Sequence, residues 1–515
     1  MPDPVNILIG VGGTGAKVVE AALVLFAAGH GPGHVHVGLV DQDQSNGNVS
    51  RTDTLLKRLI EFRQKWTRNK SHNYVDWTSL HYVPDIGSVA VSPLFESTAK
   101  WCPEKDTASL KSIIASDIDG ERGHLFDMLF MKGAQEQELK LREGYRGNAH
   151  VGATALVAAI LEMDSIIEQR LRTLMQDPEG RRVNIFIAGS AFGGTGAAGF
   201  PTLARALHRI RTDPAFEHGE NVSIGGLLML PYFSFTDEAE DGEVVVSTND
   251  LLPKAQLALE YYDNLFRHEK SFDKFYALGW DELITMGYHE PGAAEQRNPA
   301  MPPELVAATS VVDFFANEDK IDLETCDTRV LVSARQSSAV KWRDMPDATT
   351  VESRVGRLLR FCVYWRYIAE TQIDEKRGFL KGKNWIQKLT GGATARDSEI
   401  ELNATRQLID HILEWAATVE HMGRSKWSEG PWNLSRFVTT TESKTQPVEL
   451  LGSIGGIHDA FDELVRIDNG EFHPRQGGSI YDDLENGRIV VNNESNGLGK
   501  ALATVIKAVS LEGGN

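Results

Sequence analysis

The chain has 515 residues, a formal net charge of −19 and 41% hydrophobic residues. This length exceeds one ordinary hydrophobic core and predicts two or three domains. The negative charge repels phosphate backbones, which argues against nucleic acid as a general partner.

The three cysteines, Cys102, Cys326 and Cys362, are widely spaced and form no CxxC pair. Reduced thiols are therefore expected, rather than a disulfide framework or a structural zinc site. The N-terminus lacks the pattern of a signal peptide, and no segment approaches about 18 consecutive apolar residues. We expect a cytoplasmic protein without a membrane span.

The first fifty residues predict a strand, a glycine turn, a helix and a second strand. The segments are "VNILIG", "VGGTGAKVVEAALVLFAAG" and "HVHVGLVDQDQ". This order opens a parallel α/β sheet. Residues 52–140 are mostly polar with a helical pattern, and we interpret them as an extended helical insertion.

Further strands and helices alternate up to about residue 320. The predicted strands are "VNIFIAG", "VSIGGLLMLPYF" and "KFYALGWD", and the predicted helices are "VGATALVAAILEMDSIIEQRL", "FPTLARALHRI" and "DLLPKAQLALEYYDNLF". A mostly apolar helix follows in "NPAMPPELVAATSVVDFFAN", with its prolines in the first turn, where they are tolerated. Its even hydrophobicity predicts burial on most sides.

We place a domain boundary near residues 317–325, between residues 1–320 and a C-terminal α+β domain over residues 321–515. The latter contains a predicted strand, "TRVLVSA", and two helices, "VESRVGRLLRFCVYWRYIAE" and "ATRQLIDHILEWAATVEHM". Its partners are not predictable from the sequence. Trp415, Trp427 and Trp432 fit either an interaction surface or, more ordinarily, core packing.

The first glycine loop has the pattern G-x-G-x-x-G at Gly10, Gly12 and Gly15, after a strand and at the start of a helix. In that context backbone N–H groups approach phosphate oxygens, and the helix N-terminus adds partial positive charge. The loop therefore predicts phosphate or nucleotide binding rather than a tight turn alone. The pattern of a Walker-type NTPase is not present.

A second glycine loop, "AGSAFGGTGAAGF", could suggest a flavoprotein that holds FAD and NAD(P)H. However, "SAF" separates its glycines from the strand, giving a longer loop that suits a polyphosphate already held by the first loop. "RGNAHVG" forms a third turn before a helix. Because carboxyl ends of parallel strands share one edge, we expect the three loops to bind one ligand.

These loops, in order and content, resemble those of the tubulin/FtsZ superfamily. "GVGGTGAK" resembles the first phosphate loop of FtsZ, and "GNAHVGATAL" resembles its G-N-P-E-V-G loop with Ala149 in place of proline. "FGGTGAAGFP" resembles the G-G-G-T-G signature with Phe192 in place of the first glycine. The resemblance covers about residues 1–320 and is greatest to bacterial tubulin-like proteins longer than FtsZ.

The resemblance implies a Rossmann-type parallel sheet with a central core helix, and a guanine nucleotide as ligand. It implies GTP or GDP, with ATP left open, and Mg²⁺ accompanying the triphosphate. It also implies self-assembly into a homo-oligomer or filament. The residues implied to bind the nucleotide are Gly10, Gly12, Gly13, Thr14, Gly15, Asp41, Asp43, Gly147, Asn148, Gly193, Gly194, Thr195, Gly196 and Asn298.

Residues 12–15 would contact the α- and β-phosphates, residues 193–196 the β- and γ-phosphates, and residues 147–148 the γ-phosphate. Asp41 and Asp43 would lie near the ribose, base or magnesium, although strand-end acids also cap turns. Asn298 is a candidate base reader, with the alternative that it caps a helix starting at Pro299.

Fewer residues of the sequence point to catalysis than to nucleotide binding. Tubulins hydrolyse GTP with acidic residues on a loop after the core helix, and "NEDKID" loosely echoes that loop. Glu318, Asp319 and Asp322 are therefore candidate catalytic residues for a GTPase, and a solvated acidic linker is the alternative.

Two other functions stay open. A tubulin-like fold could bind nucleotide without hydrolysis, as a scaffold. "GVGGTGAK" followed by "VDQDQSNGNVSR" also resembles ThiF and ubiquitin-activating enzymes, in which Asp41, Asp43, Asn48 and Arg51 would hold ATP for adenylylation.

Overall fold

The computed structural model of the chain gives the placement of most of its residues. It describes residues 3–67, 72–77, 86–103, 108–114, 120–133, 136–141, 144–145, 147–161, 165–176, 180–235, 248–286, 298–316, 327–333, 340–373, 385–390, 398–424, 431–438, 465–468, 471–474, 483–484, 486–489, 491 and 494–510.

Strands and helices alternate through the first two thirds of the chain. The strands are β1 Val5–Val11, β2 His34–Val40, β3 Ala90–Pro93, β4 Lys100–Trp101, β5 Val183–Ser190, β6 Val222–Met229, β7 Phe233–Phe235, β8 Lys274–Trp280, β9 Ile284–Met286, β10 Asp327–Ser333, β11 Val465–Asp468 and β12 Glu471–Pro474. The α-helices are α1 Gly12–Ala27, α2 Gly47–Lys65, α3 Leu110–Ile114, α4 Glu121–Leu129, α5 Ala149–Leu161, α6 Ile166–Met175, α7 Gly194–Thr212, α8 Thr248–His268, α9 Pro302–Ala316, α10 Ala348–Tyr364, α11 Glu370–Ile373, α12 Trp385–Thr390, α13 Glu399–Met422 and α14 Leu498–Ser510.

The main sheet is parallel and has the order β10–β8–β6–β5–β1–β2–β3, with β4 also paired to β2. β5 and β6 are buried at every residue, as expected where helices cover both faces of a parallel sheet. This Rossmann-like arrangement confirms the predicted α/β class.

The strand order reverses between β1 and β5. From β1 the chain proceeds outward to β2 and β3, and from β5 it proceeds the other way to β6, β8 and β10. Gly10 of β1 is level with Ala188 of β5, so the two strands end side by side. Open α/β sheets bind their ligands in the crevice at such a reversal.

Two helices form the centre of the core. α1 is buried apart from Gly13 and Thr14, and α9 is buried apart from Asp313 and Ala316. The burial predicted for α9 is confirmed, but the helix begins at Pro302 rather than Pro299. Asn298 therefore does not cap it, and the Glu304 carboxylate instead accepts a hydrogen bond of 2.7 Å from the Met301 N–H.

The segment predicted as a helical insertion, residues 52–140, is not wholly helical. It begins inside α2, and β3 and β4 then extend the sheet by pairing with β2. Their pairing satisfies backbone groups that would otherwise stay open on the edge of β2. Strands this short show almost no alternation of polar and apolar residues. They could therefore not be recognised in a segment of mostly polar composition.

The sheet also continues past the predicted boundary at residue 320, since β10 pairs along its whole length with β8. The C-terminal helix α13 packs on α2, and the Trp66 indole donates a hydrogen bond of 2.8 Å to the Thr405 hydroxyl. Trp415 and Trp432 are buried, which agrees with core packing, and Trp427 lies outside the described residues.

Neither Cys102 nor Cys362 forms a disulfide, while Cys326 is not among the residues placed. Within the described part of the chain, every helix is too short or too polar to span a lipid bilayer.

Candidate functional site

The first two glycine loops are in direct contact at the ends of β1 and β5. Gly12 has φ +71°, and a Cβ atom on it would lie 2.9 Å from the Gly196 nitrogen and 3.6 Å from the Thr195 Cβ. Real Cβ atoms do not approach backbone this closely, so this junction requires glycine on both conformational and steric grounds.

The third turn joins the second on its other side. A Cβ on Gly194 would lie 2.9 Å from the Gly147 nitrogen and 3.2 Å from the Tyr145 Cβ. Gly147 itself has φ +77°, a backbone conformation that favours glycine. The three loops thus form one backbone surface, which we call the loop cluster: residues 10–15, 144–145, 147–149 and 190–196.

Three helices start at the loop cluster: α1 at Gly12, α5 at Ala149 and α7 at Gly194. None has an acidic residue in its first turn, and neither α1 nor α7 has a side-chain cap. The first N–H groups of a helix lack intrahelical partners and carry the positive end of the helix dipole. Three such ends at one edge make a site for a polyanion.

The predicted glycines do not all have the same role. Gly10 and Gly15 lie where α1 packs on the sheet, because a Cβ on Gly10 would lie 2.8 Å from the Gly15 carbonyl oxygen. Gly13 and Thr14 are the part of α1 that is not buried. Gly193 precedes α7 and, with Gly147 and Asn148, lines a groove beside the cluster.

Hydrogen bonds of Asp41 connect the end of β2 to the second glycine loop, residues 190–196. Its Oδ1 accepts a hydrogen bond of 2.9 Å from the Thr195 hydroxyl, and its Oδ2 accepts one of 3.0 Å from the Asn46 amide. Burial raises the pKa of Asp41 to about 7, and the nearby Asp43 charge acts in the same direction. The Thr195 and Asn46 hydrogen bonds oppose this shift in pKa.

Asp43 behaves as a turn cap. Its Oδ1 accepts hydrogen bonds from the Ser45 N–H at 2.9 Å and the Ser45 hydroxyl at 2.6 Å. This is the alternative that the sequence left open for strand-end acids. The Asp43 Cβ nevertheless lies 3.4 Å from the position that a Cβ atom on Gly144 would occupy, so Asp43 borders the third turn.

Asp41 and Thr195 offer a carboxylate and a hydroxyl to a cation. Mg²⁺ is usually held by one or two carboxylates together with substrate phosphates rather than by a protein cage. The residues placed here contain no group of three or more His, Cys, Asp or Glu side chains suited to a metal. The pair therefore fits a magnesium ion that arrives with phosphates.

Two asparagines have buried side-chain oxygens here: Asn48 beside the first loop, and Asn298 deeper, against Arg51. A Cβ on Gly13 would lie 3.3 Å from the Asn48 amide nitrogen. One turn further along α2, Arg51 donates a hydrogen bond of 2.6 Å to the Asn298 carbonyl. The side-chain oxygens of Asn48 and Asn298 are buried and have no hydrogen-bond partner among the described residues. Such oxygens are uncommon in proteins and call for an explanation, for example ligand donors.

A buried ionic network, which the sequence did not predict, lies behind the first loop. Arg51 forms two hydrogen bonds to Glu20, of 2.7 and 2.6 Å, and His411 of α13 lies 3.2 Å from Glu20. Burial alone would raise the pKa of Glu20, but Arg51 and His411 lower it to about 2. Lys17 of α1 pairs with Glu304 of α9 in the same layer.

Lys254 is a further residue beside the site that the sequence did not indicate. Its Nζ lies 3.0 Å from the position of a Cβ on Gly147, which places the ammonium group beside the loop cluster. It forms no ion pair with any residue whose position is described. No motif marks it, since it is one of several polar residues on an amphipathic helix, α8.

Of the predicted residues, the glycines, Thr14, Asp41, Asp43, Asn148 and Thr195 are gathered at or beside one edge of the sheet. Asn298 lies deeper, against Arg51. Glu318, Asp319 and Asp322, the candidate catalytic acids, lie outside the described residues.

The fold and the loop cluster together define a Rossmann-like α/β protein with three helix N-termini at the reversal of a parallel sheet. No family model matches the chain, and no match is found among curated proteins or among solved structures.

Proposed function

We propose that the chain binds one nucleoside triphosphate with Mg²⁺ at the loop cluster, in the manner of the tubulin/FtsZ superfamily, with GTP as the expected nucleotide. The observation that carries the proposal is the contact of the three loops, Gly12 to Gly196 and Gly194 to Gly147. Loops that touch one another present their N–H groups to one ligand rather than to two.

Each part of the cluster has a proposed role. The first turn of α1 would hold the α- and β-phosphates, and the first turn of α7 would hold the β- and γ-phosphates. Gly147, Asn148 and Lys254 would surround the terminal phosphate. Bound Mg²⁺ would neutralise phosphate charge, with Asp41 and Thr195 as its protein ligands. The Asn298 amide oxygen is available to a donor on the base.

The geometry favours this proposal over adenylylation. In the ThiF-type alternative the Arg51 side chain would help to hold ATP. Here both guanidinium edges are engaged, by the Glu20 carboxylate and by the Asn298 carbonyl. A flavoprotein is favoured still less, because two separate dinucleotide sites would not place Gly12 against Gly196.

Hydrolysis and filament formation remain predictions that go with the resemblance. A nucleotide-binding scaffold is the alternative within the same proposal. The two differ in turnover, since a scaffold would hold nucleotide and release almost no phosphate.

The test is to denature the purified chain and identify any released nucleotide by ion-exchange chromatography. GTP and ATP are then titrated into the nucleotide-free protein with Mg²⁺. Released or rebound guanine nucleotide is the expected result, and phosphate release under the same conditions separates GTPase from scaffold. Pyrophosphate exchange into ATP, with no affinity for GTP, would overturn the proposal in favour of adenylylation.

A further inference from the structure

A cavity of about 190 Å³ lies at the opposite end of the sheet from the loop cluster. His34, the first residue of β2, lines this cavity, whereas the loop cluster follows the carboxyl ends of the strands. Most of the described residues that line it are apolar and buried, among them Phe62 of α2, Phe361 of α10, and Ile409 and Ile412 of α13. The cavity therefore has an apolar interior between the sheet and two C-terminal helices.

The size of the cavity limits what it can hold. Protein interiors are packed as densely as organic crystals, and few of their voids exceed a water molecule. An apolar cavity of about 150 Å³ stays dry and binds benzene, which has six carbon atoms. By the same measure this cavity has room for about seven or eight carbon atoms. Its interior suits an apolar guest of that length.

Arg63 of α2 is the one charged residue among the described residues that line the cavity, and it is half-buried. Its Nη1 donates hydrogen bonds of 2.5 Å to the Gly87 carbonyl and 3.3 Å to the Ser88 carbonyl. The guanidinium carbon lies 5.6 Å from the centre of the Trp77 ring. These contacts hold the guanidinium in place, while its Nε and Nη2 have no hydrogen-bond partner among the described residues.

Arg63 also lacks a counter-ion. Within the part of the chain that the structure describes, no carboxylate pairs with it, and none lines the cavity. Burial lowers the pKa of Arg63, and no neighbouring acid counteracts this shift. The chain has 72 Asp and Glu residues against 53 Lys and Arg, so a shortage of acids does not explain the missing partner. A guanidinium matches the two oxygens of a carboxylate, so this arginine is prepared for a carboxylate from outside the chain.

We propose that the cavity binds a medium-chain monocarboxylate, with the carboxylate on Arg63 and the alkyl chain in the apolar interior. A purely apolar guest would leave the guanidinium unpaired, and a short acid would leave the interior unfilled. The arginine and the cavity together therefore select a molecule with both parts. Because its alkyl chain would fill the space between the sheet and helices α10 and α13, the bound acid would stabilise the contact between them.

Titration calorimetry of the nucleotide-free full-length chain with sodium octanoate tests the site, independently of whether the loop cluster binds nucleotide. One octanoate per chain is expected. 1-Octanol has the same alkyl chain without the charge and should bind about tenfold more weakly, because it cannot form a charge-assisted hydrogen bond with Arg63. Affinity should rise about fourfold per methylene from butyrate to octanoate. It should then level off at decanoate and dodecanoate, since the cavity is full.

Arg63→Gln removes the charge and keeps a donor for the Gly87 carbonyl. It is expected to lower the affinity for octanoate to that for octanol and to leave octanol binding unchanged, whereas Arg63→Lys should retain part of the octanoate affinity. Lys57→Gln is the matched control, because the Lys57 side chain is 65% exposed on the same helix and does not line the cavity. Equal affinity of the wild type for octanoate and octanol would overturn the proposal, as would no binding of octanoate at millimolar concentration.

Two further measurements locate the ligand. Ile409→Phe adds volume at a buried position of the cavity wall and should abolish the binding of both octanoate and octanol, while circular dichroism checks that the variant folds. Octanoate with a diazirine at the far end of its chain should, on irradiation, label peptides of α2, α10 or α13. Labelling confined to α8, beside the loop cluster, would overturn the assignment. So would binding that survives Ile409→Phe and keeps strengthening from octanoate to dodecanoate, because such a ligand lies on an open surface.

Discussion

The Thr195 hydroxyl donates a hydrogen bond of 2.9 Å to the Asp41 carboxylate, although 154 residues separate the two in the chain. Thr195 lies in the first turn of α7, and Asp41 directly follows β2. The bond therefore fixes the second glycine loop against the end of β2, which lies on the other side of β1 from β5. It also places a hydroxyl and a carboxylate together where the proposed magnesium would bind.

Thr195→Val keeps the shape of the side chain and removes this hydrogen bond. A hydrogen bond to a charged group contributes about 1.5–3 kcal/mol, so magnesium–nucleotide affinity should fall by about tenfold or more. Titration calorimetry with and without Mg²⁺ measures the change. Thr173→Val, at an exposed position on α6, is the control and should leave affinity unchanged. Equal affinity in Thr195→Val and wild type would remove Thr195 from the site.

Gly12→Ala tests the contact between the loops. Gly180 is a matched control, because it also has positive φ, +63°, but a Cβ there would meet nothing within 4 Å. Both substitutions carry backbone strain of about 1–2 kcal/mol. Only Gly12→Ala forces the loops apart, so it alone should weaken nucleotide binding, by more than tenfold. Gly194→Ala provides a second variant if Gly12→Ala does not fold. Similar affinities for Gly12→Ala and Gly180→Ala would contradict the shared site.

Lys254→Gln should reduce the affinity for a triphosphate more than for a diphosphate, since Lys254 is assigned to the terminal phosphate. A partly exposed charge interaction of about 1 kcal/mol corresponds to roughly fivefold. The difference should shrink at high salt because ions screen partly exposed charges. Lys65→Gln, on the surface of α2, serves as control. An equal loss of affinity for the triphosphate and the diphosphate would contradict a contact between Lys254 and the terminal phosphate.

The pH dependence of stability reports on Asp41. Its pKa is raised by burial from 3.8 to about 7, so between these pH values the folded protein keeps a proton that the unfolded chain has lost. The contribution of Asp41 to the free energy of unfolding is therefore greatest at low pH and falls as the pH rises toward 7. One proton changes the free energy of unfolding by at most about 1.4 kcal/mol per pH unit.

Urea unfolding of the nucleotide-free protein at pH 5, 6, 7 and 8 measures this effect. The free energy of unfolding of Asp41→Asn should change less between pH 5 and pH 8 than that of the wild type. Magnesium–nucleotide affinity should follow the opposite trend and rise as Asp41 ionises, because metal ligands bind in their deprotonated form. Parallel unfolding curves for the wild type and Asp41→Asn would contradict the raised pKa.

Glu20→Gln tests the buried network behind the first loop. Removing the carboxylate leaves Arg51 buried without its partner, and breaking a buried pair costs about 3–5 kcal/mol. Because the pKa of Glu20 is lowered to about 2, its contribution is present above about pH 4.5 and is lost as pH falls toward 2. Asp263→Asn, in an exposed ion pair with Arg267, is the control and should leave the free energy of unfolding nearly unchanged.

The sequence was sufficient for much of the sheet and for the meeting of the loops. Apolar runs followed by glycine turns predicted β1 and β5, and the physics of parallel sheets brings their carboxyl ends together. The edge strands β3 and β4 could not be predicted, because four and two residues are too few to show a period. The partner of Asp41 was also not predictable, since it depends on how far the second glycine loop extends across the end of β1.

The residues of the site and of the buried network that lie outside the motifs could not be predicted for a different reason. Lys254 and His411 lie on amphipathic helices whose periodicity does not indicate which polar residue faces a site. Nothing in the sequence distinguishes Glu20 from another charged residue of a helix, because its contacts with Arg51 and His411 exist only in the folded chain. Such long-range pairs, 31 and 391 residues apart, arise from tertiary packing alone.

The number of nucleotides bound by one chain tests the shared site most directly. Titration calorimetry of nucleotide-free protein with GTP and with ATP, in the presence of Mg²⁺, gives that number together with the affinity. Three loops that surround one ligand predict a single site, lost in Gly12→Ala and retained in Gly180→Ala. Two independent sites per chain, or no binding of either nucleotide at millimolar concentration, would contradict the account.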